Sequence, residues 1–418
     1  MKQSFIYGHD VIEYDFPEEH VGWTIEAAPM EPCSDPEAEL VRALDNPIGT
    51  PSFRELVARK PEKVVLIVDD LTRQTPQKLI LSVLLRQLEE GGVPDSNITI
   101  LIALGTHRAM TVEECVRCYG QEVVDRYKIV NHDSVDYTTM KNLGVTPNGI
   151  PVEVNTIYAE SDLSVGIGNI IPHIYAGFSG GAKTIVPGVC SSTTTAYTHL
   201  VATKHLFEVI GNPENPIRED MEVIAKQTGL TMIVNSVLNP DHRLVKIVAG
   251  DQVLAHREGV KWARKIYCVE HPGKVDMILV NSYPGDLDLW QCAKAMTVGC
   301  CFAQPGTPVI LMTPAYEGIP TTHPELLELG DKSSAEVYAM LEAKQIKDEV
   351  AGTVHLTYSQ CWERNKLIFV SELSNKAAIE KKGITYCPDL ASAIAEAEKF
   401  MPKDYKMGII SHGSHTSP

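Results

Sequence analysis

What this 418-residue chain lacks narrows it first. No apolar run approaches the roughly 20 residues needed to span a bilayer. The opening MKQSFIYGHDVIEYDF alternates apolar and polar residues and has no continuous apolar stretch of the signal-peptide kind. A cytoplasmic protein without a membrane partner is the expectation. Positive charge is scarce: 37 Lys and Arg against 54 Asp and Glu leave a formal net charge of -17. Nucleic-acid binding runs on neutralising phosphates, so that class of partner is excluded. The ten cysteines are scattered, Cys115 and Cys118 form a CxxC with no matching second pair, and Cys300 and Cys301 are merely adjacent. Neither a four-ligand zinc site nor a disulfide framework is expected. Low-complexity tracts and solenoid-length repeats are absent too, and nothing in the sequence fixes an oligomeric state.

What is present is a repeated pattern. Short runs rich in Val, Ile and Leu are each followed by a polar or glycine-containing loop, as in KVVLIVDDLTRQTP, NITILIALGTHRAM, SDLSVGIGNIIPH, VDMILVNSYPGD and TPVILMTPAYEG. Fully apolar strands alternating with helices imply parallel sheets covered on both faces, an α/β class. The length exceeds the roughly 250 to 300 residues at which one core stops growing, so two α/β domains are predicted, each a mainly parallel sheet flanked by helices. The segment PQKLILSVLLRQLEEGG reads as a helix stopped at Gly91 and Gly92, and SSTTTAYTHLVATKHLFEVIG as one closing at Gly211. A further helix from DQVLAHREGV runs to about His271, Pro272 and Gly273, which places the boundary between domains 1–272 and 273–418. The terminal SHGSHTSP, with His412 and His415, is expected to fray.

In such sheets ligands bind outside the carboxyl ends of the strands. The residues that follow the strands are Asp69, Asp70 and Arg73, then Thr106, His107 and Arg108, then Asn169 and His173, and in the second domain Gln291 and Lys294. Singly, each has a structural reading: a satisfied histidine, a helix cap in DDLTR, a solvated arginine. Their common placement at ligand-side loops favours an active site. Between them lies HIYAGFSGGAKTIVPG, whose glycines permit turns and close backbone approach, with Lys183 as its one charged side chain. That lysine could hold a phosphate or carry a covalent attachment. The register GFSGGAKT puts Ala182 where a Walker loop needs glycine, and in GIGNII the third glycine of a dinucleotide fingerprint is Ile171, so neither nucleotide motif is met. Two histidines can exchange protons on opposite sides of a stereocentre, but the α-hydrogen of a hydroxyacid is too weakly acidic for unaided histidine. A metal-stabilised enolate or a hydride acceptor is required, and Lys183 and His199 read as a tether and a soft-metal ligand.

In DDLTRQTP, GTHRAM, PHIYAGFSGGAKTIVPGV with a downstream histidine, and SYPGDLDLWQCAK, the chain resembles the nickel-dependent lactate racemase family of 2-hydroxyacid racemases and epimerases over essentially its whole length. The resemblance implies a nickel pincer nucleotide of the pyridinium-3,5-dithiocarboxylic acid mononucleotide type, covalently attached to Lys183, with nickel also held by His199. It implies His107 and His173 as paired acid/base groups, Asp70 and Arg73 near the cofactor, and Gly180 and Gly181 as the place where the tethered group lies close to the backbone. Gln291 and Lys294, with Arg73 and Trp290, would bind the substrate, a small 2-hydroxycarboxylate. The N-terminal domain would hold the cofactor, the C-terminal domain would add substrate contacts, and the site would lie in the cleft between them. Cofactor-synthesis proteins are the implied partners. Trp290 stands where lactate-type members are expected to have tyrosine, and Thr198 where asparagine is common; the bulk and single donor of the indole make Trp290 a candidate selector of substrate. Two other classes fit a two-domain cleft: a non-catalytic carboxylate-binding protein, and a hydroxyacid oxidoreductase that needs a diffusible electron acceptor.

Overall fold

The computed structural model describes residues 1–418. The chain opens with a hairpin, β1 (Lys2–Tyr7) and β2 (Asp10–Asp15), followed by β3 (Val21–Ile25). Next come β4 (Val64–Val68), β5 (Ile98–Ile102), β6 (Lys128–Asn131), the hairpin β7 (Met140–Val145) and β8 (Pro151–Asn155), and β9 (Leu163–Asn169). A short ribbon, β10 (Pro172–His173) with β11 (Gly177–Phe178), precedes β12 (Met232–Leu238) and β13 (Leu244–Gly250). The last strands are β14 (Met277–Asn281), β15 (Pro308–Met312), β16 (Lys366–Val370), β17 (Thr385–Cys387) and β18 (Met407–Ile410).

Two six-stranded sheets result, in the orders β13-β12-β9-β4-β5-β6 and β17-β16-β15-β14-β18-β3. The second is parallel throughout, and in the first only β13 runs antiparallel. The five apolar runs read as strands are β4, β5, β9, β14 and β15, and β4, β9, β14 and β15 are buried at every position. That follows from helices on both faces, which leave no side of the strand for polar residues. The direction of strand succession reverses between β4 and β9 in one sheet and between β14 and β18 in the other. These are the points where an open α/β sheet leaves a crevice.

Six helices position the site: α1 (Gln77–Glu90), α2 (Ser192–Thr203), α3 (Pro216–Gln227), α4 (Leu254–Tyr267), α5 (Ala293–Phe302) and α6 (Glu349–Arg364). Ser191 caps α2, but that helix ends at Thr203, and turns complete the path to Gly211 that was expected to be helical. α2 packs along α6, and one cluster of 48 buried apolar residues runs from β4 through α2 and α3 into α5, α6 and the second sheet. The two sheets therefore share an apolar seam, with the polar cleft at its edge.

Both chain ends depart from expectation. β3 pairs with β18, and Phe5 and Phe16 pack with Met277, Leu279 and Met407, so residues 1–25 belong with the second sheet. The division at 272/273 separates the sheets only from β4 onward. The C-terminal segment does not fray. Ser417 accepts from Val269 N–H and donates its own N–H to Tyr267 at 2.9 and 3.0 Å, and its hydroxyl fills the space beside Gly211. Residues after β18 thus return to the first sheet's side and strap the two together, burying Ser411, Gly413, Ser414, Thr416 and Ser417. We expect deletion of 411–418 to destabilise the protein by more than about 2 kcal/mol, the range for exposing buried, hydrogen-bonded structure, measured by denaturant unfolding; a frayed end would give no change.

Candidate active site

The loops after β4, β5 and β9 meet the loop before α5 around a cavity of about 90 Å³. Asp70, Arg73, His107, His173, Gly180, Lys183, His199, Trp290, Gln291 and Lys294 all line it, joined by Asp69 and Thr106. Of the residues predicted from sequence, Arg108, Asn169 and Gly181 do not face the cavity. The site stands at the β4/β9 reversal, so backbone topology alone brings together segments far apart in the chain.

A line of hydrogen bonds crosses the cleft. His107 Nδ1 lies 2.5 Å from Asp70 Oδ2, His107 Nε2 lies 3.0 Å from Gln291 Nε2, and Lys294 Nζ donates to Gln291 Oε1 at 2.5 Å. The donor inventory gives this line one polarity. Lysine can only donate, so the glutamine carbonyl accepts; the amide then donates to His107 Nε2, and His107 Nδ1–H donates to the carboxylate. Asp70 is 6% exposed, yet burial is outweighed by His107 and Arg73, which hold its carboxyl well below the ordinary range. His173 has the opposite arrangement: its Nδ1 accepts the backbone N–H of Tyr175 at 3.2 Å, which leaves the proton of the neutral ring on Nε2. Tyr175 also packs its ring 4.7 Å from that of His199 and reaches Thr357 of α6 through its hydroxyl.

Positive charge is concentrated here. Arg73, Lys183 and Lys294 have no carboxylate oxygen within ion-pair distance, although the chain as a whole is strongly acidic. Burial, reinforced by Arg73, lowers the Lys183 amine to about 7. Burial, with Arg73 and Lys183 adding to it, lowers Lys294, and burial, with Lys183 and Lys294 nearby, drives His173 well below its usual value. His199 is lowered by burial to about 3, and its Nδ1 is buried without any hydrogen-bond partner. Asp69 moves the other way, raised by burial to about 6 despite Arg73 and a 2.6 Å bond from the Thr75 hydroxyl.

The glycine turn is closely packed by protein on the side away from the cavity. A Cβ on Gly180 would stand 2.7 Å from Asn235 Oδ1, one on Gly181 2.9 Å from the His256 ring, and one on Gly177 1.8 Å from the carbonyl of Asn212. The missing side chains of Gly180 and Gly181 make room for β12 and α4, and Gly180 also lines the cavity. Beneath the turn lies a residue that sequence reasoning missed. Arg218 of α3 is wholly buried, without a salt bridge, and donates to the carbonyls of Ala176, Phe178 and Gly180. In PIREDMEVIAKQ it reads as one more surface charge of a helix. His323 was also missed. It stacks on Trp290 at 4.1 Å and contacts both Asp348 and the carbonyl of Thr106, next to His107.

Comparison with known proteins follows the same outline. Residues 7–210 match the lactate racemase N-terminal domain and residues 271–416 the lactate racemase C-terminal domain. A lactate racemase of Thermoanaerobacterium thermosaccharolyticum is 30% identical over 432 residues, covering 97% of this chain and 96% of that protein. The chain belongs to the lactate racemase family. Its fold is shared with the lactate racemase apoprotein structure from Thermoanaerobacterium thermosaccharolyticum, at a TM-score of 0.89 and 28% identity over 100% of this chain and 99% of that one. A second lactate racemase, from Lactiplantibacillus plantarum, is 35% identical over 286 residues, 66% of each chain. Membership of the family makes the chain an isomerase, and its members' domains coincide with the two halves that meet at the cavity.

Replacing Arg218 with Met would remove its donors from the carbonyls of Ala176, Phe178 and Gly180, of which Gly180 keeps the N–H of Lys183 at 3.2 Å. At roughly 1 to 3 kcal/mol for each unsatisfied buried group, we expect a loss of at least about 2 kcal/mol in denaturant unfolding. A variant as stable as the parent would show that the turn holds itself.

Proposed function

We propose that the chain inverts the C2 stereocentre of a 2-hydroxycarboxylate, lactate or a related acid, using a nickel pincer nucleotide of the pyridinium-3,5-dithiocarboxylic acid mononucleotide type attached to Lys183. The observation that carries this reading is the meeting, on one cavity, of two histidines with opposite hydrogen-bonding polarity and a lysine amine lowered to about 7.

The residues fit the absent group. A lysine lowered this far is substantially an uncharged amine near neutral pH, as an attachment point must be. His199 offers a neutral ring whose buried Nδ1 bonds to nothing in the protein. Histidine, cysteine and carboxylate side chains nowhere gather in a set of three able to hold a metal ion, so a metal at His199 needs its remaining ligands from the bound group. When bound, that group supplies the hydride acceptor and donor that C2 inversion requires and histidine cannot provide.

The chain's own residues do the rest. Arg73 offers the substrate carboxylate a charge-assisted donor, and Lys294 adds an N–H donor beside it. His107 takes the hydroxyl proton at Nε2, exchanging its bond from Gln291 for one from the substrate, while Asp70 stabilises the imidazolium that forms. His173, kept neutral by burial and by the neighbouring lysines, faces the substrate oxygen at the other side with Nε2. It takes the hydroxyl proton of the opposite enantiomer there once its own ring proton has moved to Nδ1, which releases the bond from Tyr175 N–H. The contacts His107 to Gln291, Thr106 to His323 and Tyr175 to Thr357 join the two halves over the cavity. Proteins that synthesise the nucleotide are partners on this reading.

His107→Ala and His173→Ala are each expected to slow interconversion at least about 100-fold, the lower bound for losing general acid/base help, with the adduct mass on Lys183 and the nickel content unchanged. Near-normal rates in either variant would sink the paired assignment. Lys183 remains an ammonium below its lowered value of about 7 and becomes a free amine above it. In cofactor-free protein its acylation by an activated ester, followed by peptide mass spectrometry, should therefore rise between pH 6 and 8, well before surface lysines near about 10.4 respond; a rise only above pH 9 would refute the shift.

A further inference from the structure

The segment between β15 and α6 sends one side chain back across the cleft. His323 is 7% exposed and stands between the cleft that His107 and Trp290 also line and an open groove on the side of Asp348. Its Nε2 lies 2.9 Å from the Thr106 carbonyl and its Nδ1 2.7 Å from Asp348 Oδ2. The ring lies over the Trp290 indole, with centroids 4.1 Å apart and planes 17° from parallel.

Both polar partners are acceptors. A carbonyl oxygen and a carboxylate oxygen have nothing to donate, whereas a neutral imidazole carries one N–H and one lone pair. Whichever nitrogen kept a single proton, the lone pair of the other would face an oxygen, so the contacts are satisfied only by a ring with two protons. The extra proton belongs on the ring and not on the carboxyl. Imidazole is the stronger base, at about 6.5 against 3.9 in free side chains, and Asp348 Oδ1 caps α6 by accepting the Ala351 N–H at 3.0 Å, which favours the carboxylate. A cation lying flat on an indole is itself a favourable contact.

Asp348 is the one charged group that bonds to the ring. Toward the catalytic cavity, His107 is taken by Asp70, Arg108 by Glu114 and Glu317, and Asp288 by the N–H groups of Trp290 and Gln291. His199 acts on His323 only through space. On the groove side, Lys344 pairs with Glu349, Glu325 accepts the N–H groups of Lys347 and Asp348, and Glu328 and the Lys347 amine form no ion pair. The Thr106 carbonyl has no other donor in the chain, and its peptide leads directly into His107.

We propose that His323 is a positioning residue held as an imidazolium, a cationic bridge from the second half that fixes both the Thr106–His107 peptide and the face of Trp290. The charged ring is the bridged form, so the bridge is complete below the ring's titration and is lost as pH rises through it. The bridge stands on its own geometry; its effect on turnover rests on the 2-hydroxyacid racemase reading.

Two measurements test it. A stacked imidazolium quenches indole emission far more than a neutral ring does, so in cofactor-free protein the emission of Trp290, taken as the difference from Trp290→Phe, should rise at least twofold between pH 5 and 10. In His323→Gln it should be high throughout. No rise in the parent, or the same rise in His323→Gln, would overturn the bridge. In nickel-loaded enzyme interconverting the enantiomers of lactate, kcat/KM should fall at the alkaline side over the same pH range as the emission rises. His323→Gln should lower kcat at least fivefold at neutral pH. Asp348→Asn keeps the Oδ1 cap but offers Nδ1 an amide donor, which a neutral ring satisfies while its Nε2–H still reaches Thr106; the alkaline fall should move up by at least one pH unit. An alkaline limb unchanged in Asp348→Asn, or full kcat in His323→Gln, would overturn the positioning role. No interconversion by the parent at any pH would overturn the reading of turnover and the kinetic role with it, and the emission would still decide the bridge.

Discussion

Positive charge held out of water is the constraint on which this active site depends. Arg73, Lys183 and Lys294 face one small cavity without carboxylate partners, in a chain whose net charge is -17. Desolvation and mutual repulsion push Lys183, Lys294, His173 and His199 toward their neutral forms together. His107, and after it Arg73, keeps Asp70 ionised although it is buried. One concentration of charge thus leaves a substantially uncharged amine, neutral imidazoles and a set of N–H donors on one cavity.

Such a field is useful only if the groups are held in place, and the fold does this from below and from across. From below, the buried guanidinium of Arg218 gathers three carbonyls of the turn that carries Lys183, while Asn235 and His256 occupy the space that glycine side chains vacate. From across, Gln291 and Lys294 complete the hydrogen-bond line that begins at Asp70, so the protonation geometry of His107 is shared between the halves. Opening the cleft would break that line as well as admit water. The placement of His107 is therefore tied to a side chain that the second half supplies.

The two halves are also less separable than a linear division suggests. β3 completes the second sheet from the N-terminus, the segment after β18 returns to the first, and an apolar seam joins α2 to α6. Any motion of the cleft must work against these crossings, which favours small adjustments of the loops over a wide swing.

The sequence by itself determined the α/β class, the core strands and most of the lining of the cavity, because buried parallel strands must be apolar throughout and because ligand-side loops follow directly on them. It also carried the family, through motifs whose residues sit next to each other in the chain. Tertiary structure alone decided the rest. That β3 pairs with β18, that a polar C-terminal segment is a strap, and that Arg218 is a clamp and not a surface charge all depend on partners remote in sequence. The glycine turn shows the difference most plainly: its composition announced a close approach, but only packing could say that what approaches is Asn235, His256 and Asn212. Local pattern records which residues must be buried or must turn. What they are buried against, and hence how far their charges shift, is set by the whole fold.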